Sequence, residues 1–187
     1  MKFARFILKL FGWKLVNPLE GKMPAKAIII AAPHTSWIDF PLAFIYYRAL
    51  GVNAHFLIKK EAFIFPFAGL LKKLGGIPVN RFSKNTIVED TVEYFKNNER
   101  FILTITPEGT RAAVKEWKSG YHRIGKAANV PVLIGFDDFK TKTVGIIQAF
   151  DLSDDFEKDT FEIMKFYKNM EGKHPEKFYL PDEIRNS

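Results

Sequence analysis

Lys26-Ala27-Ile28-Ile29-Ile30-Ala31-Ala32-Pro33-His34-Thr35-Ser36-Trp37-Ile38-Asp39 is the stretch whose reading decides the fold. Its Ile-Ile-Ile run predicts a short buried strand over Lys26 to Ala32. Proline disfavours helix at the residue before it, so Pro33 ends the strand and places His34 on the following turn. Phe40 to Leu50 then reads as a helix, closed by Gly51.

The pattern repeats outward. Ala54 to Lys59 is a strand candidate, and Gly75-Gly76 precede a short strand, Ile77-Pro78-Val79-Asn80-Arg81, in which Pro78 marks a sheet edge or an end. Ser83 to Asn98 is predicted helical, with Ile87, Val88, Val92 and Phe95 at helical spacing and Ser83 as its cap. Phe101 to Thr106, Val132 to Phe136 and Val144 to Phe150 read as strands, and Asp155 to Lys168 as a closing helix. Strands alternating with helices imply an α/β fold with a largely parallel sheet flanked by helices. At 187 residues the chain fits one domain.

Composition is that of a globular protein, and with no cysteine there are no disulfides and no thiolate metal site. Charge is unevenly placed. Residues 1 to 81 carry twelve Lys and Arg against Glu20, Asp39 and Glu61, whereas the remainder carries sixteen against eighteen acids. A basic N-terminal part suits an anionic partner: nucleic acid, a phosphate substrate or an acidic membrane surface. No run approaches the roughly 20 apolar residues that span a bilayer.

Residues 1–16 are predicted to form a basic amphipathic helix. Lys2, Arg5 and Lys9 share one stripe, while Phe3, Phe6, Ile7, Leu10 and Phe11 lie mostly on the opposite arc. Lys9 interrupts the apolar run and no small-residue cleavage site follows, so the segment reads as retained rather than as a signal peptide. Such a helix either lies among lipid headgroups, apolar face down, or docks on the core. Phe63-Ile64-Phe65-Pro66-Phe67-Ala68-Gly69-Leu70-Leu71 is too short to span a bilayer yet strongly apolar. Core burial is its default reading, with a membrane contact or an acyl groove as alternatives.

The chemistry centres on His34 and Asp39. Histidine accepts a proton near neutral pH, and a neighbouring carboxylate fixes its tautomer. Five positions apart on one helix the two would not share a face, but a turn running into a helix brings them together. The pair lacks a protein nucleophile: there is no cysteine and no Gly-x-Ser-x-Gly elbow, so the attacking group is expected to belong to the substrate. Pro107-Glu108-Gly109-Thr110-Arg111 follows a strand. Gly109 permits close backbone approach, Thr110 and Arg111 offer donors to phosphate oxygens, and Glu108 either orders Arg111 or binds an acceptor hydroxyl. Arg81 is a second candidate clamp. The four histidines show no metal-ligand spacing.

His34-x4-Asp39, Gly76-Ile77-Pro78-Val79-Asn80-Arg81, Pro107-Glu108-Gly109-Thr110-Arg111 and Val130-Pro131-Val132 stand in the order and rough spacing of four sequence blocks. Over residues 27 to 136 the chain resembles the glycerolipid acyltransferases, the lysophosphatidic acid (1-acyl-glycerol-3-phosphate) acyltransferase family. The resemblance implies that residues 17–187 form an α/β acyltransferase domain, that His34 is the general base and that Asp39 orients it. It implies an acceptor-phosphate and hydroxyl site at Arg81, Glu108, Gly109, Thr110 and Arg111, with Pro131 in the apolar fourth block. The chain departs from the family pattern at Pro78 and Ile134. The implied reaction moves an acyl group from acyl-CoA or acyl-carrier protein to a lysophospholipid hydroxyl, without acyl-enzyme, metal or cofactor. The expected setting is cytoplasmic, peripheral to the inner face of the cell membrane. Nucleic-acid binding has no motif to support it, whereas a non-catalytic binder of anionic lipid explains the charge but not the His-Asp pair.

Overall fold

The computed structural model describes residues 1–19, 23–79 and 84–187, without the side chains of 84–86. Its main elements are α1 (Lys2–Leu10), β1 (Lys14–Val16), β2 (Lys26–Ala32), α2 (Asp39–Leu50), β3 (Ala54–Lys59), α3 (Phe67–Lys73), β4 (Gly76–Val79), α4 (Lys84–Asn97), β5 (Phe101–Ile105), α5 (Gly120–Ala128), β6 (Val132–Asp138), β7 (Thr143–Phe150), α6 (Phe156–Lys165) and α7 (Asp182–Arg185). The strands form one sheet in the order β1-β7-β6-β2-β5-β3-β4. Every neighbouring pair is parallel except the β6-β7 hairpin. The expected single α/β domain with a largely parallel, helix-flanked sheet is what forms.

β2 occupies the centre because both its faces are apolar. Ile28 and Ile30 pack with Tyr121 and Ile124 of α5 and with Ile163 of α6; Ile29 packs on the other side with Leu8 of α1 and Leu42, Tyr46 and Tyr47 of α2. All three isoleucines are fully buried. Each such burial stabilises the fold by about 1.5–3 kcal/mol, so β2 is the pin between two helical layers. Gly51 closes α2 in the left-handed region at φ 73°, and β4 lies at the sheet edge, where Pro78 costs no ladder hydrogen bond.

The N-terminal segment is shorter as a helix than the sequence suggested. α1 ends at Leu10, and Lys14–Val16 pairs with β7 as the opposite edge of the sheet. A three-residue strand has no legible period, and its docking depends on Gly145, where a Cβ would meet the Val16 carbonyl at 2.4 Å. α1 docks on the core and leaves an apolar stripe exposed. Leu8 is buried and Arg5 Nε donates to the Ala49 carbonyl at 3.1 Å, yet Phe3, Phe6, Leu10 and Phe11 remain exposed. Core burial fails for Phe63 to Leu71: Ile64, Phe65, Phe67 and Leu70 all face outward, and α3 begins in their midst. The proposed cap Ser83 and the end of the predicted strand at Asn80-Arg81 fall outside the described residues.

Removing the pin tests this hierarchy. Ile29→Ala should cost about 2–5 kcal/mol in a urea titration, with the variant melting as one unit; a loss below about 1 kcal/mol would show that β2 is not the centre of the core.

Candidate active site

The carboxyl ends of the central strands meet at one point. Ile30 of β2 lies opposite Ile105 of β5, and Ala32 lies opposite Phe136 of β6. This register sets the turn after β2 beside the loop after β5 and the end of β6, the crevice in which open α/β sheets bind ligands.

The turn is organised by Asp39, the first residue of α2. Its Oδ2 accepts hydrogen bonds from the backbone N–H groups of Thr35 and Ser36, both at 2.9 Å, and faces His34 Nδ1 at 3.1 Å. A carboxylate oxygen at Nδ1 places the imidazole proton there and leaves Nε2 as the basic nitrogen. The side chains are 21% exposed for His34 and 8% for Asp39, so the base is reachable and its partner is not. The C-terminal segment supports the turn from outside, where His174 N–H donates to Thr35 Oγ1 at 3.2 Å.

Glu108 comes from the loop after β5 and is 2% exposed. Its Oε1 accepts the His34 backbone N–H at 2.7 Å, joining the two sequence blocks directly. Burial raises its pKa to about 8, against the His34 hydrogen bond, which lowers it, and with Asp39, which adds to the rise. At neutral pH Glu108 is thus largely protonated. With Oε1 accepting, the proton belongs on Oε2, which has no partner among the described residues. Asp137, at the end of β6, is likewise held well above the usual carboxylate range by burial, then by Asp39.

Orphaned polar atoms mark the site. Among the described residues, the buried side-chain atoms without a hydrogen bond are Asp39 Oδ1, Thr104 Oγ1, Glu108 Oε2, Trp117 Nε1 and Asp137 Oδ2. Asp39, Thr104, Trp117 and Asp137 line one cavity of about 830 Å³ together with His34, and Glu108 sits between its lining residues Pro107 and Gly109. Unsatisfied buried groups cost roughly 1–3 kcal/mol each, and their concentration in one place is expected where a polar substrate completes them. The rest of the wall is apolar, including Phe40, Phe56, Ile58 and Leu71.

The remaining sequence candidates divide. Gly109 lies at φ 66°, with the Lys118 side chain folded so closely over it that a Cβ would meet Nζ at 2.5 Å. Thr110 and Arg111 are exposed; Thr110 Oγ1 accepts from Ala112 N–H at 3.3 Å, and Arg111 makes no ion pair with Glu108. Arg81 lies outside the described residues. Sequence reasoning missed Lys118 and Arg123, both lining the cavity from the start of α5, a helix that the sequence reading did not predict. It also missed a second His-Asp pair, His122 Nε2 to Asp159 Oδ2 at 3.0 Å, buried between α5 and α6. Asp159 also accepts from Ser153 N–H and Oγ, so this pair is sealed within the structure and serves as a pin.

A family model described as acyltransferase matches residues 17–134, which hold His34, Asp39 and Glu108. The chain belongs to the acyltransferase family. Among solved structures, the 1-acyl-sn-glycerophosphate (LPA) acyltransferase PlsC from Thermotoga maritima shares its fold with a TM-score of 0.59 at 22% identity, covering 86% of this chain and 72% of that one. No curated protein sequence matches it. Among the described residues of this acyltransferase, no group of three or more His, Asp or Glu is arranged to hold a metal, and no helix is long and apolar enough to cross a membrane.

The buried acid carries a pH signature. Glu108 binds a proton in the folded state up to about pH 8 but in the unfolded chain only to its ordinary value of 4.5, so stability should fall as pH rises between those values. In thermal melts, Glu108→Gln should flatten this decline by a few degrees, about 2–6 °C between pH 5 and 8. An unchanged slope would mean that Glu108 is already ionised in the folded protein.

Proposed function

We propose that this acyltransferase transfers a fatty acyl group from an acyl-CoA or acyl-carrier protein thioester to the hydroxyl of a lysophospholipid such as 1-acyl-glycerol-3-phosphate. The observation that carries the reading is His34, its Nδ1 held 3.1 Å from Asp39 Oδ2, at a largely apolar cavity large enough for an acyl chain. His34 Nε2 takes the acceptor hydroxyl proton as its oxygen attacks the thioester carbonyl. A C–O bond forms, the tetrahedral intermediate collapses with loss of the C–S bond, and the imidazolium returns the proton to the thiolate. The substrate is the nucleophile, in keeping with the absence of cysteine and of a serine elbow.

The oxyanion is not served by the amides of the turn. Those of His34, Thr35 and Ser36 already donate to Glu108 and Asp39. The unpartnered Trp117 Nε1–H and the cation Lys118 line the cavity, and neutral Glu108 lies beside it, as candidate donors to the oxyanion. Thr110, Arg111, Lys118 and Arg123 supply donors for the acceptor phosphate, to which the family resemblance adds Arg81, outside the described residues. The exposed Phe3, Phe6, Leu10 and Phe11 of α1 support peripheral attachment to the inner face of the cell membrane, where acceptor and thioester donor meet. The name of the Thermotoga relative agrees with this choice of acceptor.

The purified protein, offered acyl-CoA and acyl-carrier protein with a panel of lysolipids, should release free thiol and form diacyl products identified by mass. His34→Ala and Asp39→Asn should each lower transfer by roughly 10²–10⁴-fold while keeping the wild-type circular dichroism spectrum. Near-normal transfer by His34→Ala would remove the base assignment, and thiol release with no acylated acceptor would make the enzyme a thioesterase.

A further inference from the structure

We infer that a basic cleft at the opposite end of the sheet from His34 is a docking site for phosphate headgroups of an anionic bilayer. The cleft, about 430 Å³, is walled by the C-terminal ends of α2 and α3 and by the first residues of β3 and β5. Arg48, Lys72, Lys73 and Arg100 line it, with no Asp or Glu among the described lining residues. None of these four cations forms an ion pair among the described residues. Arg48 is held in place: Nη1 donates to Asn53 Oδ1 at 2.8 Å and the guanidinium stacks 5.0 Å from the Phe44 ring centre.

Cations at helix C-termini offset the macrodipole, which accounts for a basic residue in the last turn of α2 and of α3. It does not account for Arg100, which belongs to no helix and arrives from the connection between α4 and β5. Four like charges gathered from three distant segments repel one another unless an anion joins them. The surroundings name the kind of anion. α2 and α3 are successive crossovers that step across the sheet in the same direction, so they cover the same face, and α1 packs on α2. Phe67 and Leu70 of α3 are exposed shortly before Lys72 and Lys73. On the other side the Met1 side chain lies against Gly51 at the cleft rim, and α1 exposes Phe3 and Phe6 beyond it. A free phosphate ion uses only the cations. A bilayer takes both, apolar side chains entering the acyl boundary while the cleft grips headgroups.

The inference rests on the membrane attachment in the proposed function but not on acyl transfer, and its test needs no turnover. Vesicle sedimentation compares phosphatidylglycerol-containing with pure phosphatidylcholine vesicles, using wild type, a cleft variant (Lys72→Gln, Lys73→Gln, Arg100→Gln) and a control of equal charge loss on and beside α6 (Lys158→Gln, Lys165→Gln, Lys168→Gln). The cleft variant should lose about tenfold or more of its partitioning to the anionic vesicles, the control less than about twofold, and neither should change on phosphatidylcholine. Arg100→Gln alone, expected to lose about threefold, gives the same reading should the triple variant melt early. Equal losses in cleft variant and control would reduce the effect to net charge and overturn the proposal. So would unchanged vesicle binding combined with thermal stabilisation of the wild type, but not of the cleft variant, by millimolar inorganic phosphate.

Discussion

One carboxylate oxygen governs the site. Asp39 Oδ2 collects Thr35 N–H, Ser36 N–H and the His34 Nδ1 proton, and these three donors fix the turn, the ring and the tautomer together. A histidine on a free turn would sample several rotamers and both tautomers. Here each alternative would leave a buried carboxylate with fewer donors, at a cost of about 1–3 kcal/mol for each bond to a charged group. The spacing is dictated by the same geometry: Asp39 must open the helix for its carboxylate to reach back over the turn, and β2 must end at Ala32 for that turn to begin beside β5 and β6.

Burial keeps Glu108 neutral, and the nearby Asp39 carboxylate adds to the effect. Asp39 and Glu108 approach His34 from opposite sides, one through the ring and one through the backbone N–H. Two buried carboxylates beside one histidine would repel, and burial makes ionisation of the second costly, so Glu108 retains its proton to about pH 8. The result is a histidine and a neutral acid tied together through the His34 N–H to Glu108 Oε1 bond. Of the two sequence readings of Glu108, ordering Arg111 finds no ion pair in the structure. The Glu108 carboxyl sits beside the cavity, between the lining residues Pro107 and Gly109.

Much of this was legible because β2 and its sequel follow local rules. Lys26–Ala32, Ala54–Lys59 and the helix closed by Gly51 are bounded by proline, glycine and apolar runs that act within a few residues. α5 was hidden because Gly120 and Gly125 depress helix propensity and its stability comes from Tyr121 and Ile124 against the sheet, a tertiary effect. Lys118 and Arg123 were hidden with it. β1 was hidden because its three residues are recruited by the bare backbone of Gly145. His34 and Asp39 could be paired from sequence, but the identity of Glu108 as a neutral acid could not, since protonation depends on burial that only the assembled crevice creates.

Sheet topology also divides the labour between the two ends of the molecule. Parallel strands send their carboxyl ends to one edge, where loops carry His34 and Glu108 and the end of β6 carries Asp137, and return every crossover helix with its C-terminus at the other edge. Helix C-termini favour cations, so the edge away from the chemistry gathers Arg48, Lys72 and Lys73 as a consequence of the winding. The helical layer between the two edges exposes phenylalanines on α1 and α3. The winding thus puts His34 and Glu108 at one end of the sheet, Arg48, Lys72 and Lys73 at the other, and exposed phenylalanines of α1 and α3 on the flank between them. The proposed reaction calls for this relation, because an acceptor that stays in the membrane must still bring its hydroxyl to the base.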